Sequence, residues 1–245
     1  MIRIEHLTKR FKQLYALNDV SAAFTSGQVV SLIGPNGSGK TTLIKSILGM
    51  VRPQSGKIYF DNEPITHSWE YRRRIGYMPQ IGRYPDNMKI SQVVEMIKNI
   101  RGDHAPPDLE LFRSFGLEAI SNKTMQGLSG GTRQKVSATL AFMFGADVLI
   151  LDEPTAGLDP LASEILKEKI ISEKKRGKLI LITSHILSDL DDITTDIMYL
   201  QEGRIQYYES LASIKERTGE IRFSKAIARL MQEGSGHSSL KKLVV

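Results

Sequence analysis

The chain has 245 residues, 33 Lys+Arg against 27 Asp+Glu for a formal net charge of +6, and is 41% hydrophobic and 24% charged. That balance excludes a disordered or fibrous chain, and the length admits one large domain or a domain with a subdomain. The absence of cysteine excludes disulfides, thiolate metal sites and cysteine nucleophiles, and fits a reducing compartment.

The first residues, Met1-Ile2-Arg3-Ile4-Glu5-His6, alternate like a strand at once. No basic start followed by an apolar run is present, so no signal peptide is expected. The longest apolar runs, 148–151 and 179–182, fall far short of the roughly 20 residues a spanning helix needs. The pI near 9.4 fits an acidic partner such as nucleotide phosphate, nucleic acid or an anionic membrane surface.

In chain order, strands are predicted over 2–6, 20–24, 29–33, 57–60, 75–78, 148–151, 179–183, 197–200 and 204–207. Segments 29–33, 148–151 and 179–183 are continuous apolar runs, the pattern of parallel strands buried on both faces. Segments 20–24 and 57–60 lie between turn residues and read as antiparallel or edge strands. From Arg83 to about Gly145 the strand signals vanish, and helices are predicted over 90–100, 109–115 and 132–144. Asp103-His104-Ala105-Pro106-Pro107 separates the first two. An α/β core over 1–82 and 146–215, an inserted helical subdomain over 83–145 and a C-terminal extension over 216–245 are therefore expected. In the extension, 226–231 reads as a short helix and 234–239 as a flexible tail.

Gly34-Pro35-Asn36-Gly37-Ser38-Gly39-Lys40-Thr41 matches G-x-x-x-x-G-K-[ST]. It follows the apolar strand 29–33 and precedes a helical pattern over 42–48, the context this phosphate loop requires. Its glycines let backbone N–H groups converge on phosphate oxygens, and the helix N-terminus adds a favourable dipole. Gly34, Asn36, Gly37, Ser38, Gly39, Lys40, Thr41 and Thr42 are the binding candidates. Lys40 would reach the β- and γ-phosphates, and the Thr41 hydroxyl would ligate Mg²⁺. Such a loop needs a carboxylate at the end of a neighbouring buried strand. Asp152, closing the run 148–151, is the metal-associated candidate, and Glu153 is the candidate general base for the attacking water.

Together with Leu128-Ser129-Gly130-Gly131-Thr132, these motifs resemble the ATP-binding cassette (ABC) family over nearly residues 1 to 215. The added segment is similar to the family signature, which usually ends in Gln where this chain has Thr132. The resemblance implies a P-loop NTPase (RecA-like) core with an antiparallel β portion and an inserted helical subdomain. It implies that Ser129, Gly130 and Gly131 complete the nucleotide site of a second copy in a head-to-tail dimer. Gln80, after Tyr77-Met78-Pro79, resembles the Q-loop glutamine, a metal contact and a link from the reacting water to the helical subdomain. Ala156-Gly157-Leu158-Asp159 resembles the D-loop, which crosses the dimer and brings Asp159 toward the nucleotide. His185 resembles the switch histidine near the γ-phosphate. Phe11 matches the aromatic that stacks on adenine, with Tyr15 as the alternative and plain packing open to either. Thr132, shorter than Gln, would soften contacts at the dimer interface.

The implied activity is ATP hydrolysis coupled to transport, with ATP and Mg²⁺ as cofactors. The implied partners are a second copy of the chain and separate transmembrane permease subunits, at the cytoplasmic face of the membrane. A permease helix would dock near the Q-loop. There, residues 70–101 carry seven Lys+Arg against three acids, a docking or lipid-facing charge or a merely solvated one. A soluble ABC ATPase acting on nucleic acid or ribosomes is the alternative. The span from Lys40 to Ser129 is too short for the coiled-coil DNA-repair types, and one cassette does not match the two-cassette ribosomal types, so no direct nucleic-acid partner is expected. The run Pro79-Gln80, Tyr84-Pro85-Asp86 and Ala156-Gly157-Leu158-Asp159-Pro160 resemble multidrug-export-like cassettes, a group that includes the copper-processing cassette of nitrous oxide reductase maturation, and a cassette of that copper-processing kind is the expectation. The five histidines are scattered and would not themselves bind copper.

Overall fold

The computed structural model describes residues 1–66, 68–102, 106–184, 191–220, 222 and 225–229. Two sheets organise it. The first is antiparallel, of four strands: β1 (Ile2–Phe11), β2 (Leu14–Phe24), β4 (Ser55–Phe60) and β5 (Glu63–Pro64), in the order β2-β1-β4-β5. The second has six strands. They are β3 (Val29–Ile33), β6 (Ile75–Met78), β7 (Val148–Asp152), β8 (Leu179–Thr183), β9 (Asp196–Gln201) and β10 (Arg204–Ser210), in the order β10-β9-β3-β8-β7-β6. Its strands from β9 to β6 are parallel, and β10 joins antiparallel at the edge.

Every residue of β3, β7 and β8 is buried. Their side chains alternate between two apolar clusters, as the two-residue period of a strand requires. Val29, Leu149, Leu151, Ile180 and Ile182 face one, packed by Ala138, Leu166, Ile170 and Ile214 from the helices α4 (Gly130–Phe142), α5 (Pro160–Lys175) and α6 (Leu211–Thr218). Val30, Val148, Ile150, Leu179 and Leu181 face the other, where Ile4, Leu17 and Phe60 of the antiparallel sheet and Leu43 and Ile47 of α1 (Lys40–Ile47) cover them. The parallel sheet is thus the middle layer, and the phosphate loop leaves it at the end of β3. A third cluster, built on Ile90, Val93, Leu117, Met125, Val136 and Leu140, lies within the helical section made by α2 (Ile90–Arg101), α3 (Glu110–Ser114) and α4.

The α/β class with an added antiparallel portion is as expected. Segments 2–6 and 20–24 prove to be halves of one long hairpin turning at Lys12-Gln13. Register shifts between Ile4 and Arg10 break the alternation that would have revealed its outer half. Helices α5 and α6 lie outside the predicted helices. Residues 225–229 are helical, in part of the predicted 226–231 helix. The remainder of that segment and the tail at 234–239 lie outside the described residues. No helix among the described residues is long and apolar enough to cross a membrane.

Candidate active site

The phosphate loop runs from the last residue of β3 to the first of α1, and its glycines answer to packing as well as to phosphate. Gly39, the N-cap of α1, has φ 110°, and a Cβ there would stand 2.3 Å from the Ala16 carbonyl oxygen. A Cβ on Gly34 would stand 2.1 Å from the Leu200 carbonyl oxygen. Backbone of β2 and β9 therefore presses on the loop where any larger residue would push it away. Lys40 Nζ donates to the carbonyls of Gly34 (2.7 Å) and Pro35 (3.1 Å). Burial pushes its pKa below the usual lysine range against the pull of Glu153 and Asp152.

The acidic pair sits at the end of β7. In the parallel register Asp152 stands opposite Thr183 of β8, whose hydroxyl donates to Asp152 Oδ1 at 2.5 Å. Burial raises the Asp152 carboxyl above its ordinary range, opposed by that hydrogen bond. Glu153 follows with φ 52°. Its N–H donates to the Thr183 carbonyl (3.0 Å) and to Thr183 Oγ1 (3.1 Å), and its own carbonyl accepts from Gln134 Nε2 of α4 (3.3 Å). Thr183 and Gln134 were not singled out in the sequence. One reads as an ordinary strand end, the other as one polar position of a helix.

A cavity of about 460 Å³ joins these pieces. Of the predicted site residues it is lined by Phe11, Asn36, Gly37, Ser38, Gly39, Lys40, Thr41, Thr42, Gln80, Asp152 and Glu153, with Leu14 and Ala16 completing the wall. Gly34 lies behind the loop, holding Lys40 through its carbonyl. Phe11 is 49% exposed, with Lys9 Nζ 4.9 Å from its ring centroid. Tyr15 lines a neighbouring cavity that shares the loop residues Asn36, Gly37 and Ser38. His185 lies outside the described residues.

Ser129, Gly130, Gly131 and Asp159 do not line this cavity. Ser129 caps α4, accepting from the Thr132 N–H at 3.2 Å, and its Oγ lies 2.9 Å from Thr132 Oγ1. A Cβ on Gly131 would stand 2.6 Å from the Gly157 carbonyl oxygen, so the signature and D-loop segments touch. Asp159 caps α5 through the Ala162 N–H (2.9 Å) and pairs with Lys135 (2.6 Å). The Lys135 hydrogen bond holds its carboxyl below the usual range.

A nucleoside triphosphate with Mg²⁺ fits the donors present. The volume lies in the range of small-ligand pockets, roughly 300–1,000 Å³. Ser38 Oγ is buried within the phosphate loop without a hydrogen-bond partner among the described residues. No group of three or more His, Cys, Asp or Glu residues forms a metal cage among the described residues. One carboxylate, a hydroxyl and a side-chain amide suit Mg²⁺, which keeps waters and substrate phosphates in its shell.

A family model described as ABC transporter matches residues 17–156. The lantibiotic transport ATP-binding protein SrtF of Streptococcus pyogenes is 32% identical over 92% of this chain and 99% of its own. The lipopolysaccharide export system ATP-binding protein LptB of Haemophilus influenzae is 32% identical over 84% of this chain and 88% of its own. A solved dimeric ATP-binding cassette in a post-hydrolysis state, bound to ADP and Pi, superposes with a TM-score of 0.78 at 26% identity, over 86% of this chain and 99% of that one.

Proposed function

This chain belongs to the ABC transporter family, and on that premise we propose that it is the ATP-hydrolysing subunit of an export-type transporter whose membrane-spanning part is a separate polypeptide. One observation carries the proposal: a single cavity gathers the phosphate loop, Gln80, Asp152 and Glu153.

The loop amides and Lys40 grip the β- and γ-phosphates. Thr41, Asp152 and Gln80 would hold Mg²⁺, which would neutralise charge on the phosphate oxygens. Glu153 orients a water for in-line attack on the γ-phosphorus and takes its proton, the bond to the β,γ-bridging oxygen breaks, and ADP and phosphate remain. Lys40 and the oriented amides stabilise the charge that develops. Phe11 offers an exposed ring at the cavity edge for the adenine. His185 is assigned to the γ-phosphate on the family pattern alone.

Ser129, Gly130, Gly131 and Asp159 lie away from the cavity of their own chain, on segments that touch each other. That placement supports their serving the nucleotide of a second copy, and the similar cassette of known structure is dimeric. Closure on ATP and reopening after hydrolysis then form a two-state cycle driven by the nucleotide. Export is favoured by the lipopolysaccharide export relative. No named relative here bears on copper, so the cargo is left at the level of export. The helical section 83–145 is read as the signature subdomain, and the chain as peripheral at the cytoplasmic face through its membrane partner.

The test is size-exclusion chromatography of Glu153→Gln with and without Mg·ATP. An ATP-dependent dimer with little turnover is expected. A variant that hydrolyses ATP at the parent rate would refute the base role.

A further inference from the structure

Glu153 sits in the left-handed backbone region, where side-chain-bearing residues persist only when their surroundings over-determine them. The other side-chain-bearing residues with positive φ among those described are His6, Lys12, Asp19, Asp61, Asn62 and Glu202. They fall in hairpin turns or in the bulged β1–β2 pair. Among them, Glu153 alone lines the nucleotide cavity.

Two buried side chains from two elements add to the backbone hydrogen bonds that hold it. Thr183 is 2% exposed and Gln134 is 6% exposed. The Thr183 hydroxyl has one proton to give and lone pairs to accept with. It gives the proton to Asp152 Oδ1 and shares the Glu153 N–H with the Thr183 backbone carbonyl, so one oxygen touches both acidic residues. Gln134 Nε2 donates to the Glu153 carbonyl, which also accepts the Ala156 N–H at 3.1 Å. With N–H and C=O both fixed, the direction in which Cβ leaves the backbone is fixed too. Gln134 belongs to α4, the helix capped by Ser129, so a displacement of that helix reaches the Glu153 backbone through one hydrogen bond.

We propose that Thr183 and Gln134 are positioning residues for Glu153, with the Thr183 hydroxyl aligning Asp152 and Glu153 through one atom and Gln134 tying Glu153 to the signature helix. This rests on the reading of Glu153 as general base.

Thr183→Val keeps the side-chain shape and removes the hydroxyl, while Thr183→Ser restores it. The readouts are kcat and KM for phosphate release, titration with a fluorescent ATP analogue, and amide hydrogen exchange across residues 152–158. Thr183→Val is expected to lower kcat by roughly 10- to 100-fold, the scale of a displacement near 1 Å at a reacting group. KM and analogue affinity should stay within about twofold, and exchange at Glu153 should quicken. Thr183→Ser should recover most of kcat. In a Glu153→Gln background, Thr183→Val should cost nothing further, because residues acting as a unit are not additive. Gln134→Leu should give the same pattern with a smaller fall, and it serves as the test should Thr183→Val fail to fold.

Parent kcat in both Thr183→Val and Gln134→Leu, with Glu153→Gln depressed, would overturn the inference and leave the base reading standing. Parent kcat in Glu153→Gln would overturn the base reading itself. A loss of analogue affinity as large as the loss of kcat would mark a general structural role and overturn the positioning assignment.

Discussion

Lys40 is held by its own loop before it meets any phosphate. Its two carbonyl partners, Gly34 and Pro35, lie at the start of the loop, so the ammonium braces the turn and is pre-placed over the cavity. Substituting Lys40→Ala removes both the brace and the charge. Nucleotide affinity should fall at least about tenfold and turnover should vanish, since charge-assisted contacts are worth about 1.5–3 kcal/mol each. Fluorescent-nucleotide titration and phosphate release measure the two effects, and unchanged turnover would sink the phosphate-loop assignment. The loop is legible in the sequence because its chemistry is contiguous: eight successive residues, a strand before and a helix after. Asp152 and Glu153 are legible as the polar end of an apolar run. Thr183 and Gln134 are not, because their partner Glu153 is 30 and 19 positions away in the chain, and nothing in a strand's last threonine announces which backbone it will meet. Ser129 stands between these cases. As a helix N-cap it is an ordinary residue, and only its company with two glycines and a neighbouring D-loop sets it apart.

At the scale of elements, α5 shows why a helix can escape a pattern reading. Its start is well marked, with Asp159 at the N-cap and Pro160 following. Its buried stripe, however, is Ala162, Leu166, Lys169, Ile170 and Glu173, and two charges there blunt the apolar period. Lys169 is buried against Asp108 (2.6 Å), Glu110 (2.6 Å) and Glu173 (3.1 Å). Glu173 is also held by Arg176 and Lys178. The cluster pins the segment ahead of α4 to α5. Burial lowers the Lys169 pKa, but its three carboxylate hydrogen bonds outweigh this and raise it. Burial raises Asp108 and Glu173, and their lysine partners outweigh this and lower both. Depressed carboxylates stabilise the fold above their ordinary range, and this is lost as pH falls. A raised lysine stabilises below its ordinary range, and this is lost as pH rises. The cluster's contribution should therefore be level between roughly pH 5 and pH 10 and fall away outside that window. Lys169→Met should cost about 2 kcal/mol at neutral pH, below the roughly 3–5 of a fully orphaned buried charge because Glu173 keeps two cations. For a chain of this size that lowers the thermal midpoint by about 4–8 °C. Unfolding scans of parent and variant should converge as pH drops toward 3. A constant gap across pH would mean the loss is packing rather than charge.

At the scale of the whole molecule, the burial of β3, β7 and β8 on both faces is readable from their continuous apolar runs. Which elements cover each face is not, because that pairing joins segments far apart in sequence, as when α1 and the antiparallel sheet share one cluster. The same long-range assembly builds a surface that no local pattern displays. Leu48 and Met50 after α1, Tyr77 of β6, and Ile97 and Ile100 of α2 line a groove of about 360 Å³, together with Arg72 and Arg101. Met50 is 63% exposed and Ile100 68% exposed, an apolar pair at the junction of core and helical section. Large side chains exposed together at a groove are the mark of an interaction site. The transporter reading makes a permease helix its occupant, and the groove lies beside the strand that leads to Gln80. Docking there would press on the segment that carries Gln80 into the phosphate-loop cavity. Substituting Met50→Glu together with Ile100→Glu places two charges in that groove without touching the cavity. The isolated chain should keep its ATPase rate within about twofold, since surface changes of this kind seldom exceed about 0.5 kcal/mol. Detergent co-purification with the parent chain should recover a multi-span membrane protein, and the double variant should lose it. Recovery of nucleic acid in place of a membrane protein would overturn the transporter reading. Undiminished recovery of the membrane protein by the double variant would move the docking surface elsewhere and leave the ATPase site intact.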